Sequence, residues 1–241
     1  MNALIRSELF KARSTRTTWA LAAIAPAFCV LWVVAMTLLP ATSEAERLAN
    51  VYNMAQQAYL FTLILGVLGM AGEHRHQTIT WAFLVTPRRG AVVSAKLAAY
   101  GLIGLAVAAA SALATLVAGV VLLSAQGHAA LSRDVPLILL GAALSTAIYA
   151  PLGVALAVLV RNQVAAVIVA SLLFAYGDAF LAYLIPDVFT WLPSGAARAL
   201  GGMWAEGGTL LPAWGGGLLF AGYVAAITLI ARFLTLRRDV T

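Results

Sequence analysis

Apolar residues in this chain do not alternate with polar ones; they come in long blocks separated by short polar connectors. Six blocks stand out, at about 17–39, 54–72, 91–124, 135–160, 163–185 and 213–235. A helix rising 1.5 Å per residue crosses a bilayer with roughly 20 mainly apolar residues. The blocks therefore predict an all-α integral membrane fold of six transmembrane helices, with 1–241 as a single domain. The third block is longer than a span needs, which implies tilt or a start in the cytosol. Pro151 interrupts the fourth block and predicts a kink, whereas Pro136 falls in its first turn, where proline is harmless.

Composition strengthens this picture. The chain is 63% hydrophobic and only 10% charged, far from the balance of a soluble domain, and no separate soluble domain fits beside the spans. Mean hydropathy is +0.94. The placement of Lys and Arg sets orientation better than net charge does. With the N-terminus inside, twelve of the Lys and Arg residues fall on the inner side and three, Arg47, Arg133 and Arg198, on the outer. That bias predicts both termini in the cytoplasm. The basic N-terminus resembles a signal peptide, but the apolar run behind it is longer than a signal core and lacks a small-residue cleavage site, so it reads as a retained first helix. Cys29, the one cysteine, lies inside an apolar run and reads as a packing residue.

Three segments are not spans. Residues 2–13 place Leu4, Ile5, Leu9 and Ala12 near one face, with Arg6, Lys11 and Arg13 elsewhere. They read either as a basic amphipathic helix on the inner membrane surface or as a positive flank that only orients the first span. Residues 186–212 are too polar and too rich in Gly and Pro to span. They keep Trp191 and Trp204 for the outer interface, and Ser194 is placed to cap a short helix through Leu200.

The third segment, 73–90, is an inner loop carrying a short apolar helix, Ile79 to Leu84, with Trp81 and Phe83, capped by Gln77 or Thr78. So short a helix is unstable alone, and its apolar side chains require a surface to bury against. Thr86-Pro87 then reads as a cap followed by a first-turn proline, starting the third long helix. Helix starts prefer acids, so Arg88, Arg89 and Lys96 serve something else: lipid phosphates or an acidic partner surface. Glu73 is placed to pair with one of them or with Arg75.

The order Glu73-x-Arg75-x-x-Thr78, Thr86-Pro87-x-Arg89, Lys96 resembles the signature loop of ABC-2 type transporter permeases, the membrane subunits of ATP-driven exporters. The resemblance covers the whole chain: basic N-terminal helix, six spans, this loop after span 2 and an outer hairpin before span 6. It implies that the helix at about Thr78 to Val85 is a coupling helix docking in a nucleotide-binding subunit, with Trp81 and Phe83 as anchors. By the same resemblance Glu73 and Arg75 transmit motion to span 2. His74 and His76 depart from the motif.

Other chemistry is sparse. His74 and His76 stand two apart, whereas metal ligands on a helix stand three or four apart, and no P-loop sequence occurs. The chain is thus expected to bind no cofactor and no metal, to have no catalytic residue, and to leave ATP and Mg to a partner ATPase subunit. A second copy or a sister permease is the other expected partner, the lipid membrane the surroundings, and nucleic acid no partner. Asp178 is the one ionisable residue well inside an apolar run, about 10 Å from its outer end at 1.5 Å per residue. It reads as a hydrogen-bonded structural group beside Tyr176 or Tyr183, or as part of a substrate path. The expected function is export of a hydrophobic or amphipathic substrate (drug, peptide or lipid) by alternating access. The rival is a transporter or channel driven by an ion gradient without an ATPase, which calls for paired intramembrane acids or broken helices.

Overall fold

The computed structural model describes residues 2–75, 89–160, 162–202 and 210–237. Its elements are helical throughout. They are α1 (Asn2–Ser14), α2 (Arg16–Thr37), α3 (Glu44–Tyr52), a 3-10 segment (Asn53–Ala58), α4 (Tyr59–Arg75), α5 (Arg89–Ala125) and α6 (Val135–Leu159). After these come α7 (Gln163–Leu172), a π turn (Leu173–Gly177), α8 (Asp178–Leu184), a 3-10 segment (Pro186–Trp191), α9 (Pro193–Leu200) and α10 (Ala213–Arg237).

Among the described residues five helical runs are long and apolar enough to cross a membrane: Arg16–Thr37, Glu44–Glu73, Gly90–Ala125, Val135–Leu159 and Ala213–Ala231. The fifth apolar block, expected as a single span at 163–185, is helical without a gap from Gln163 to Leu184, as α7, the π turn and α8. The π turn ends at Gly177 and α8 begins at Asp178, so the chain changes helical geometry where a flexible residue meets a polar one. The second run differs, starting ten residues before the expected 54. Ser43 caps it by accepting a hydrogen bond from the Glu46 amide (3.2 Å), and Glu46 reaches back to the Thr42 amide (2.8 Å). That is a capping box, with Glu44 and Glu46 favourably placed on the helix dipole.

The runs at α4 and α6 form the centre. The most apolar 18 residues of Glu44–Glu73 are 61% buried and those of Val135–Leu159 50%, against 11% for those of Ala213–Ala231, which lies at the edge. Glycines let these two helices touch backbone to backbone: a Cβ on Gly66 would lie 1.9 Å from the Ala150 carbonyl oxygen, and one on Gly153 2.1 Å from that of Leu63. Tyr149 on α6 joins the rest, its ring 5.0 Å from Tyr59, 5.7 Å from Phe174 and 4.8 Å from Phe220. A polar seam runs through the same centre. Gln56 donates to Ser145 Oγ (2.7 Å) and to the Ala197 carbonyl (2.6 Å), and Thr62 donates to the Thr146 carbonyl (2.8 Å). This seam pins α9 to the bundle. Ser194 does not cap α9; the helix starts at Pro193 with Leu192 at the cap, and it ends at Leu200 as expected.

The connections fall at two ends. At one, Gln126 beyond α5 donates to the Thr37 carbonyl closing α2 (3.3 Å), and His128 meets Glu44 opening α3 (3.1 Å). At the other, α1, the end of α4, the beginning of α5 and Gln163 of α7 surround one cavity.

Candidate functional site

The last turn of α4 brings an acid to the end of an otherwise apolar helix, and the second turn of α5 brings a base inward. Glu73 and Lys96 meet there, Lys96 Nζ lying 3.1 Å from Glu73 Oε1. Two residues of α1 complete the group. Glu8 and Lys11 stand one turn apart, and α1 lies against α5 so that Glu8 pairs with Lys96 while Lys11 bridges Glu8 (2.7 Å) and Glu73 (2.9 Å). Lys96 also donates to the Gly69 carbonyl (3.1 Å) and sits 5.8 Å from the centre of the Tyr100 ring, one turn along its own helix. Two carboxylates and two ammonium groups thus tie three helices together.

Burial makes this cluster more than a surface network. Lys96 is 1% exposed, Glu8 5% and Glu73 9%, while the Lys11 side chain is half exposed. Burial alone raises the Glu8 carboxyl, but the neighbouring Lys96 and Lys11 outweigh it and hold it below the ordinary glutamate range. For Lys11, burial pulls the ammonium down, yet its bonds to Glu8 and Glu73 leave it above the ordinary lysine range. A buried group of this kind adds little net stability over an apolar one, but removing one member leaves a charge unpaired, at roughly 3–5 kcal/mol. It is a specific clamp rather than a glue.

The clamp sits at both roots of the loop that the sequence singled out. Arg75 closes α4 and Arg89 opens α5. Their side chains, and all of Thr78, Trp81, Phe83 and Pro87, lie outside the described residues, as does the expected coupling helix. Of the basic residues expected on α1, Lys11 joins the clamp, whereas Arg6 and Arg13 are exposed. Lys96 does not face lipid phosphates or a partner surface; it points into the protein because the two carboxylates and the Gly69 carbonyl satisfy it there. Asp178 opens α8 and its side chain is not described, while Tyr176 and Tyr183 beside it are exposed.

Glu8 was not singled out by sequence reasoning. The signal was present: it is the first acid in the chain, the next being Glu44, and it falls on the face of Leu4, Ile5 and Ala12. An acid on the apolar face of a basic helix calls for a buried cation, and Lys96 is that cation. Among the described residues no group of three or more His, Cys, Asp and Glu is arranged to hold a metal ion.

Residues 4–177, which hold the clamp and every helix through α7, match the family model described as ABC-2 family transporter protein. The chain belongs to the ABC-2 family of transporter proteins. Comparison with curated proteins returned no match. The family assignment makes this a multi-pass membrane protein of a kind that generally performs no catalysis itself and generally works with an ATPase. The clamp on α1, α4 and α5 lies wholly inside the ABC-2 segment.

Proposed function

We propose that the chain is the permease subunit of an ATP-driven exporter, moving a hydrophobic or amphipathic substrate out of the cell by alternating access. ATP and Mg are bound by a separate nucleotide-binding subunit that docks on the inner loop, and the substrate path forms between this chain and a second copy or a sister permease. In this reading α7, the π turn and α8 serve together as the fifth of six spans, α1 lies along the inner membrane surface, and both termini are cytoplasmic.

The observation that carries the proposal is the clamp at the roots of the loop. A push on the segment between Arg75 and Arg89 is applied to the end of α4 and the start of α5 at once. Through Glu73, Lys96, Glu8 and Lys11 it also reaches α1. Coupled pairs buried this way have few intermediate arrangements, so the three helices respond as one body. Trp81 and Phe83 supply the anchoring contacts on the ATPase, while Thr78 and Pro87 bound the coupling helix. Asp178 lines the outer part of the substrate path.

Two measurements test this. Copurification of the tagged chain from its host in mild detergent is expected to bring along a soluble protein bearing a P-loop at a fixed ratio. Trp81→Ala is expected to leave the protein inserted but to separate ATP hydrolysis from transport. Wild-type transport by Trp81→Ala, together with purification free of any ATPase, overturns the proposal.

A further inference from the structure

The cavity beside the clamp holds a polar imbalance that coupling does not use. It measures about 590 Å³, within the range of roughly 300–1,000 Å³ typical of small-molecule sites. Its polar wall carries Glu73, Lys11, Thr17 and Thr18; its apolar wall carries Leu65 and Leu68, farther into the bundle along α4.

The donors and acceptors of the clamp do not balance. An ammonium has three N–H donors. Lys96 directs its three to Glu8, Glu73 and the Gly69 carbonyl. Among the described residues Lys11 bonds Glu8 Oε1 and Glu73 Oε1, so one donor on this half-exposed side chain is left. Both lysines converge on Glu73 Oε1, while Glu73 Oε2 is buried with no partner among the described residues. Leaving a buried carboxylate oxygen without a donor is costly. The cavity therefore asks for a ligand with an N–H cation at one end and an anion near it, for the Glu73 carboxylate and Lys11 respectively.

The surroundings point to a lipid. Trp19, at the start of α2, is 59% exposed and donates its indole N–H to the Arg13 carbonyl (2.7 Å), an arrangement suited to the water–membrane boundary. Thr17 and Thr18 are its chain neighbours, so the polar wall lies at headgroup depth, and Leu65 and Leu68 lie on the acyl-chain side. A purely anionic headgroup leaves Glu73 unanswered, and a quaternary ammonium has no N–H to donate.

We propose that this cavity binds the headgroup of an aminophospholipid, its primary ammonium on the Glu73 carboxylate and its phosphate on Lys11 and the threonine hydroxyls. The site is on a single chain and does not depend on the ATPase reading. A lipid seated there braces the clamp from its open side.

The test is native mass spectrometry of the full chain, with whatever subunit copurifies, after delipidation and addition of phosphatidylethanolamine, phosphatidylcholine or phosphatidylglycerol with identical acyl chains. Phosphatidylethanolamine is expected to bind about tenfold more tightly than the other two. Gly72 lines the cavity and a Cβ there meets nothing within 4 Å. Gly72→Leu therefore fills the site without disturbing the helices, and is expected to abolish the preference at unchanged thermal stability. Glu73→Gln, which keeps an acceptor for the lysines but loses the charge, is expected to reduce it severalfold. Equal retention of the three lipids, or a preference that survives Gly72→Leu, overturns the site. Competition by soluble phosphoethanolamine at the lipid's own concentration overturns the lipid source.

Discussion

Lys96 shows how one residue can carry several helices. Its ammonium is buried and held by partners on α1 and α4. Lys96→Met is expected to leave Glu8 short of its buried cation and to cost roughly 3–5 kcal/mol of stability, read as a fall in thermal midpoint in detergent. The double variant Glu8→Met with Lys96→Met removes one charge of each sign and leaves Lys11 paired with Glu73. It is expected to recover most of that loss, and recovery of nothing would show that the clamp is not what Lys96 supports. The pH dependence has two limbs. Because the folded Glu8 carboxyl lies below its ordinary value of 4.5, its contribution is fully present above 4.5 and is lost as pH falls below it. Because Lys11 lies above its ordinary value of 10.5, its contribution is present below 10.5 and is lost as pH rises past it. A stability plateau between these limits is expected, with Glu8→Gln weakening the acid limb; an acid limb identical to wild type refutes that assignment.

The element scale is set by α4 and α6, where two glycines stand against opposing carbonyls. Gly153→Val is expected to be severely destabilising, since any Cβ there falls 2.1 Å from backbone that cannot yield. Gly72→Ala, one helix over in open space, is the internal comparison and is expected to be neutral or to stabilise by up to about 1 kcal/mol. Comparable expression and thermal midpoints for the two variants would contradict the packing described. Parts of this level were legible beforehand. Pro136 does lie in the first turn of α6, and α9 does end at Leu200, because both follow from local backbone rules. The start of the second run was equally local, since Ser43 and Glu46 spell a capping box, but the polar letters around them drew the boundary too late. The π turn over Leu173–Gly177 was not local. Whether an apolar block continues as α-helix or slips into a π turn depends on what packs beside it, here Tyr149 against Phe174.

For the whole molecule the decisive question is which end of the bundle faces the cytoplasm. A cysteine placed at Arg238 is expected to resist a membrane-impermeant reagent added to intact cells and to react after permeabilisation. Cys29 is fully buried and gives no competing signal. Labelling from outside would reverse the orientation and remove the inner loop from the reach of any ATPase. The two groups of connections make the test sharp. The His128–Glu44 end and the clamp end lie at opposite ends of the long helices, so one labelled site orients all of them.

The sequence by itself determined that this chain is an apolar helical membrane protein and where most long helices lie. Those features are written in runs of side chains whose transfer energies add along the chain, whatever their neighbours. Family membership was legible for a related reason, since the motif that opens with Glu73 and closes with Lys96 is contiguous. Only the tertiary structure decided what those two residues do. The sequence left Glu73 to pair with Arg75, Arg88, Arg89 or Lys96; the fold chooses Lys96 and lays α1 across the pair. Glu8, a single acid in a basic helix, acquires its meaning from partners as far as 88 residues away. A buried charge is stable only beside its counter-charge, and that pairing is a property of the assembled bundle.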